Sequence, residues 1–220
     1  MKDAEDVERI VEMNEDLKAN NDNLAASNLS KLKAHKIRSF DIVGAIGAGK
    51  TLLLEKLVEK ISKKYRCYVI CGDITLHLDA DRIEKRGARV QQINTGRECA
   101  LNAYHIHKVL SSIDLNSIDV LLIENVGNLI CPSDFVLGVE KRIVIVAITE
   151  GDHVIIKHPL LFKMSDVGII NKIDLQPVIN ADIQRMLKDA TSINPNIKMF
   201  VTSAKTSENL PELISYLGLD

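Results

Sequence analysis

Short apolar runs alternate along this chain with stretches in which apolar residues recur every three or four positions. The runs cover 37–43, 67–71, 90–93, 119–124, 143–148, 167–170 and 199–201. The longest of them lack polar alternation, as expected of strands buried on both faces of a parallel sheet. After the first run, Leu54, Leu57, Val58 and Ile61 fall at helical spacing, and Lys63, Lys64 and Arg66 follow where the helix dipole favours cations. Helices are predicted also over 82–87, 98–112, 182–191 and 210–217. Strands and helices in this order predict an α/β fold, a mostly parallel sheet flanked by helices. Its chemistry is expected along the C-terminal edge of the strands.

The first 36 residues read differently. A thin stripe of Val7, Ile10, Val11, Met13 and Leu17 suits an amphipathic helix, with a break expected at Asn20-Asn21-Asp22-Asn23 and a second short helix after it. A loosely held arm, a docked arm and a contact with a partner all fit so thin a stripe. The expected organisation is a helical arm over 1–36 and one α/β domain over 37–220.

Charge and composition remove several classes. A net charge of -2 gives no basic surface for nucleic acid. No apolar run is long enough to span a bilayer, so no membrane partner is expected. The acidic start Met1-Lys2-Asp3-Ala4-Glu5-Asp6 is unlike a secretory signal, and the expected location is cytoplasmic. There Cys67, Cys71, Cys99 and Cys131 are expected as thiols or metal ligands rather than disulfides.

The strongest motif follows the first run. Gly44, Ala45, Ile46, Gly47, Ala48, Gly49, Lys50 and Thr51 spell G-x-x-x-x-G-K-T, the P-loop, and Leu52 continues it into the helix. Glycines let the backbone curl so that amides point at phosphate oxygens. Lys50 reaches the β/γ-phosphates, Thr51 ligates Mg²⁺, and the helix N-terminus adds positive charge where the anion sits. A chance glycine-rich turn is the alternative, and the strand–loop–helix context argues against it.

Asn171, Lys172 and Asp174 form N-K-x-D after the sixth run, and Thr202, Ser203, Ala204 and Lys205 form T-S-A-K after the seventh. Both resemble the base-recognition loops of G proteins. A carboxylate only accepts hydrogen bonds, and guanine offers two donors on one edge, N1–H and the 2-amino group. Asp174 would therefore select guanine over adenine. A helix cap is the plain alternative for this aspartate. Between the two motifs lies Glu124-Asn125-Val126-Gly127, where G proteins carry D-x-x-G. Glu124 stands where an acid holds Mg²⁺, and Gly127 lets its amide reach the γ-phosphate. Asn128 follows where Ras-like proteins place a glutamine, which predicts slow hydrolysis. Asp73 and Asp79 are the candidate Mg²⁺ ligands of the first switch, with solvation, or for Asp79 a helix cap, as the alternative.

Cys99 is expected at the start of a helix after Thr95-Gly96-Arg97-Glu98, and Cys131 lies just beyond the sensor loop. A helix N-terminus lowers a thiol pKa and improves it as a ligand. Two cysteines are too few for a tetrahedral site, and a two-fold dimer supplies four. Thiolate sites suit Zn²⁺ and, in planar arrangement, Ni²⁺. The alternative is a pair of small buried hydrophobes.

From residue 40 to the C-terminus the sequence resembles the hydrogenase nickel-incorporation GTPases, the HypB family, which is related to the urease accessory G proteins. The stretches carrying the resemblance are GAIGAGKT at 44–51, NTGREC at 94–99, ENVGNLICP at 124–132, TEGD at 149–152, KHP at 157–159, N-K-x-D at 171–174 and INP at 193–195. The resemblance implies a nickel metallochaperone that hydrolyses GTP to GDP, dimerises in the GTP state and delivers Ni²⁺ to [NiFe]-hydrogenase. It implies a zinc/nickel maturation partner and the hydrogenase large subunit as contacts. It also implies a dimer-interface metal site at Cys99, the residue after it, and Cys131, and it assigns the switch aspartate to Asp79.

The pattern is departed from at Ala100, where the family has histidine: alanine has no donor atom. His105 or His107 are the possible substitutes, though their spacing from Cys99 gives no i,i+4 pair and points them to solvent. His153 stands where family members carry an acid, and the arm has neither a histidine-rich tract nor a Cys-x-x-Cys motif. Two further readings follow. A regulatory or scaffold GTPase keeps the nucleotide and drops the metal. A urease-type nickel G protein needs Cys-Pro-His, and Cys131-Pro132-Ser133 lacks the histidine.

Overall fold

The computed structural model describes residues 2–73, 78–96 and 98–220, and the side chains of 16–72, 80–96 and 98–220. Among these residues, seven strands form one sheet: β1 Arg38–Gly44, β2 Cys67–Asp73, β3 Arg89–Asn94, β4 Val120–Gly127, β5 Lys141–Ala147, β6 Val167–Asn171 and β7 Lys198–Val201. Their spatial order is β3-β2-β4-β1-β5-β6-β7 and every neighbouring pair is parallel. The helices are α1 Lys2–Ala34, α2 Lys50–Ile61, α3 Leu78–Glu84, α4 Ala103–Ser112, α5 Val154–Lys157, α6 Pro159–Lys163, α7 Ile183–Ile193 and α8 Leu210–Tyr216. The α/β fold predicted from the apolar runs is the fold observed.

The strands alternate their side chains between two apolar layers. On one side Phe40, Ile42, Leu122, Ile143 and Ile169 pack with Leu54, Leu57, Val58 and Ile61 of α2, the residues whose spacing predicted that helix. On the other, Ile70, Leu121 and Ile123 pack with Ile106, Val109 and Leu110 of α4 and with Leu32 of α1, and Val144, Val146 and Ile170 pack with Met186 and Ala190 of α7. None of the helices among the described residues is long and apolar enough to cross a membrane.

Three local expectations are corrected. First, α1 runs without a break through Asn20-Asn21-Asp22-Asn23. Tertiary bonds override the weak helix propensity there. Asn21 Nδ2 donates to Val136 O at 3.0 Å, and Asn21 Oδ1 accepts from Ala103 N at 2.8 Å. Asn28, fully buried, donates to Ala103 O at 2.9 Å and Leu137 O at 3.1 Å. The C-terminal half of α1 is thus docked along α4. The side chains of Val7, Ile10, Val11 and Met13 lie outside those described.

Second, α4 begins at Ala103 and not near 98. Asn102 is its N-cap: its side chain accepts His105 N–H at 3.1 Å, and His105 Nδ1 accepts Asn102 N–H at 3.3 Å. This reciprocal cap terminates the helix on its N-terminal side. It leaves Cys99 in a bend, and the expected helix N-terminus beside this thiol is absent. His105 is mostly covered and engaged in the cap, not turned to solvent. Third, α5 and α6 fill 154–163, where no helix was predicted, and His153 is the N-cap residue of α5.

Candidate functional site

The P-loop leaves the end of β1, and α2 starts at Lys50. Gly47 (φ 81°) and Gly49 (φ 103°) take the left-handed conformation that curls the loop. Gly49 is doubly constrained, since a Cβ there would meet the Asn171 amide. Lys50 Nζ, largely buried, donates to Gly44 O at 3.2 Å and Ala45 O at 3.1 Å, which fixes the ammonium over the loop. Thr51 Oγ1 donates to Glu124 Oε1 at 2.7 Å. A hydroxyl and a buried carboxylate are hard oxygen donors of the type Mg²⁺ takes, so the pair fits that ion.

The sensor stretch lies against the same loop. Asn128 N–H donates to Gly44 O at 3.1 Å. Gly127 has no side chain because Ile46 occupies the place a Cβ would take. Asp79 lies in α3, but its side chain and that of Asp73 fall outside those described, so neither switch candidate is located by its carboxylate.

The N-K-x-D loop after β6 and the T-S-A-K loop after β7 meet. Asn171 Nδ2 donates to Ala48 O at 2.9 Å, and Asn171 Oδ1 accepts from Ala204 N at 3.0 Å. Lys172 has a left-handed backbone (φ 65°), which turns the chain sharply after β6. Asp174 accepts from Ser203 Oγ at 2.6 Å and lies 3.9 Å from Lys205 Nζ. It does not cap a long helix; it sits in a single 3-10 turn, Ile173–Leu175. Glu150, which motif reading left without a role, enters this edge as well. Burial raises its pKa, against the Ala147 N–H bond at 2.7 Å and the pull of Lys172 and Lys50.

The cysteines correct an expectation. Cys99 and Cys131 are joined in one chain as a disulfide, with Cα atoms 6.1 Å apart, whereas thiols meeting across a dimer were predicted. The physical reason is that buried side chains hold both segments in place, the one around Cys99 after β3 and the turn Cys131–Ser133 after β4. Asn125 Oδ1 accepts Leu101 N–H at 3.0 Å. Arg142 donates to Pro132 O at 2.8 Å and Phe135 O at 2.6 Å. Asn128 Oδ1 accepts Ile130 N–H at 2.7 Å, and its Nδ2 donates to Cys131 Sγ at 3.2 Å. Cys67 and Cys71 are buried thiols outside the disulfide, as expected, and burial pushes Cys67 up to about 12. Among the described residues no three His, Cys, Asp or Glu side chains gather as a metal cluster.

Motif reading missed Asp41, Asn125 and Arg142. Asp41 (0% exposed) and Arg142 (6% exposed) pair at 2.9 Å, and Asn125 Nδ2 donates to Asp41 Oδ1 at 3.1 Å. The available signal was a charge inside the first apolar run, Phe40-Asp41-Ile42, and a second at the mouth of another, Arg142-Ile143-Val144.

A phosphate-cradling loop at a strand end, a lysine over it and a hydroxyl–carboxylate pair beside it define a P-loop nucleotide-binding protein. Residues 39–201 match the model of the CobW/HypB/UreG nucleotide-binding domain. The chain is 45% identical over 208 residues to the probable hydrogenase maturation factor HypB of Methanocaldococcus jannaschii, covering 94% of each chain. It superposes on the crystal structure of hydrogenase maturation factor HypB from Archaeoglobus fulgidus with a TM-score of 0.86 and 40% identity, over 92% of this chain and 100% of that one. HypB from Helicobacter pylori in complex with nickel gives 0.85 and 33%, over 90% and 93%. The chain belongs to the CobW/HypB/UreG nucleotide-binding family and, within it, to the HypB hydrogenase maturation factors.

Proposed function

We propose that this protein is a GTP-hydrolysing nickel-delivery factor for hydrogenase maturation, built as a nucleotide domain over 37–220 with an appended helical arm over 1–36. The observation that carries the reading is Asp174. Its carboxylate, oriented by Ser203, is tied through Asn171 to the loop that bears Lys50. A fixed acceptor at that distance from a phosphate cradle suits the two donors of guanine.

In the proposed reaction, Gly44 through Thr51 and Leu52 hold the phosphates, and Lys50 offsets charge on the transferring group. The Gly127 amide meets the γ-phosphate. Asn171, Lys172, Asp174, Ser203, Ala204 and Lys205 hold the base. Thr51 and Glu124, with Asp79 by family resemblance, would hold Mg²⁺, which neutralises phosphate charge during transfer to water. Asn128, which stands where Ras-like proteins place a glutamine, is engaged with the Cys131 turn, so intrinsic hydrolysis is slow. Nickel, or zinc, is cargo for the Cys99 and Cys131 thiolates once the pair is reduced. Two subunits brought together by GTP supply four sulfurs. By family resemblance, a maturation partner and the hydrogenase large subunit, in the cytoplasm, complete the handover.

Calorimetry with GTP and ATP tests the base reading. GTP is expected to bind at least about 100-fold more tightly, and Asp174→Asn to lose that preference. Equal binding of ATP to the unaltered protein overturns it.

A second reading, a regulatory or scaffold GTPase without cargo, is favoured by one observation: Cys99 and Cys131 are bonded to each other and Ala100 supplies no donor. Nickel titration of the reduced protein against Cys99→Ala and Cys131→Ala separates the two. Equal binding by all three favours the scaffold.

A further inference from the structure

We propose that Asn125 and Asn128, on either side of Gly127, are positioning residues that transmit the state of the nucleotide site to the two cysteine segments. This rests on the nickel-delivery reading above. The argument begins with strand alternation. Successive side chains of β4 point to opposite faces of the sheet. Glu124 faces α2 and accepts from Thr51. Asn125 faces the other way, in line with Asp41 of β1 and Arg142 of β5, because Asp41 pairs with Ile123 and with Arg142 in the sheet register. One strand thus carries a nucleotide contact on one face and a cysteine-segment contact on the other, one residue apart.

The connections from there are short and buried. Asn125 Oδ1 accepts Leu101 N–H, two residues beyond Cys99, and its Nδ2 is spent on Asp41. Asp41 in turn orients Arg142, whose guanidinium holds the carbonyl of Pro132, one residue beyond Cys131. Asn128 supplies the second route. Its backbone N–H is bonded to Gly44 O of the P-loop, and its side chain holds Ile130 N–H, Cys131 N–H and Cys131 Sγ. The γ-phosphate is read by the amide of Gly127, which lies between these two asparagines. Any shift of that amide toward a phosphate moves both, and each is bonded to the segment of a different cysteine. Along the Asn125 route the groups are buried and engaged, so breaking any one bond leaves an unsatisfied group behind. The Asn128 route is part-exposed and acts through its bonds to Ile130 and Cys131.

The coupling is measured as a ratio. Nickel alone is titrated into the reduced protein loaded with GDP or with a non-hydrolysable GTP analogue, and followed by thiolate-to-nickel charge-transfer absorbance. The unaltered protein is expected to differ between the two nucleotides by about tenfold, within the usual range of coupling between linked sites. Asn125→Ala and Asn128→Ala are expected to bring that ratio to about one while analogue affinity stays within about threefold. A merely structural role lowers the melting temperature without equalising the two nickel affinities. If Asn125→Ala fails to fold, Asn128→Ala, in a part-exposed turn, decides. Retention of the full ratio by the folded variants overturns the coupling while leaving nickel delivery intact. No nucleotide dependence in the unaltered protein removes the nickel-switch reading and the coupling with it.

Discussion

The nucleotide edge and the cysteine pair occupy neighbouring ends of the same sheet, yet they are assembled in opposite ways. The phosphate cradle is contiguous: eight residues, 44–51, leave one strand and enter one helix, and the loop is held largely by its own lysine. The cysteine pair is assembled from segments 32 residues apart and has no local motif. What brings it together is a buried line of Asn125, Asp41 and Arg142 across three strands. A contiguous site depends on the chemistry of its own residues. A composite site depends on side chains that never touch its ligand.

The largest expected effect breaks that buried line. Arg142→Met leaves Asp41 charged in a dry interior and should cost about 3–5 kcal/mol of stability. Urea unfolding measures it, and a loss under about 1 kcal/mol would mean the pair is not the anchor of the cysteine side. Reducing the Cys99–Cys131 bond comes next, at about 2–4 kcal/mol for a closed loop of this size. Thiol titration of the unfolded protein should find Cys67 and Cys71 before reduction and all four cysteines after it. Four reactive thiols without reductant would remove the disulfide from the comparison.

Lys50→Ala reaches the other region. It removes a charged donor and should weaken GTP by about 2–3 kcal/mol, beyond any loss of melting temperature from freeing the Gly44 and Ala45 carbonyls. The smallest effect lies at the opposite edge of the sheet. Hydrogen bonds from the Arg66 guanidinium, then from its backbone N–H, hold Asp119 at about 2, below the ordinary aspartate value of 3.8. A depressed carboxylate stabilises the fold above its unfolded pKa. That contribution fades as pH falls from about 4 through about 2. Asp119 is a third exposed, so the gain is under about 1 kcal/mol. Asp119→Asn should flatten the acid limb of a pH–stability curve by that amount and leave neutral-pH nucleotide binding alone.

How much was legible in the sequence follows the same division. The P-loop, N-K-x-D and T-S-A-K could be read because each is a local pattern whose chemistry needs adjacent residues. Asn102 could have marked the start of α4, since asparagine is a preferred N-cap, but the helix was expected to begin directly after Thr95-Gly96. The unbroken α1 could not be read: Asn21 and Asn28 look like breakers until the carbonyls of Val136, Leu137 and Ala103 are placed opposite them. The joining of Cys99 to Cys131 required the register of β4, β1 and β5, which no single stretch of the chain contains. Asp41 and Arg142 left a trace, one charge inside an apolar run and one at the start of another, whose meaning depends on their being neighbours.

Asn171 gives the nucleotide edge one more property. Its amide grips the phosphate loop with its nitrogen and the base loop with its oxygen, so a single rigid group sets the gap between two jaws. Such a caliper gauges the span of a molecule. On the proposed reading a bare purine or free pyrophosphate would fill one jaw only, so whole nucleotides are expected to bind in preference to their fragments.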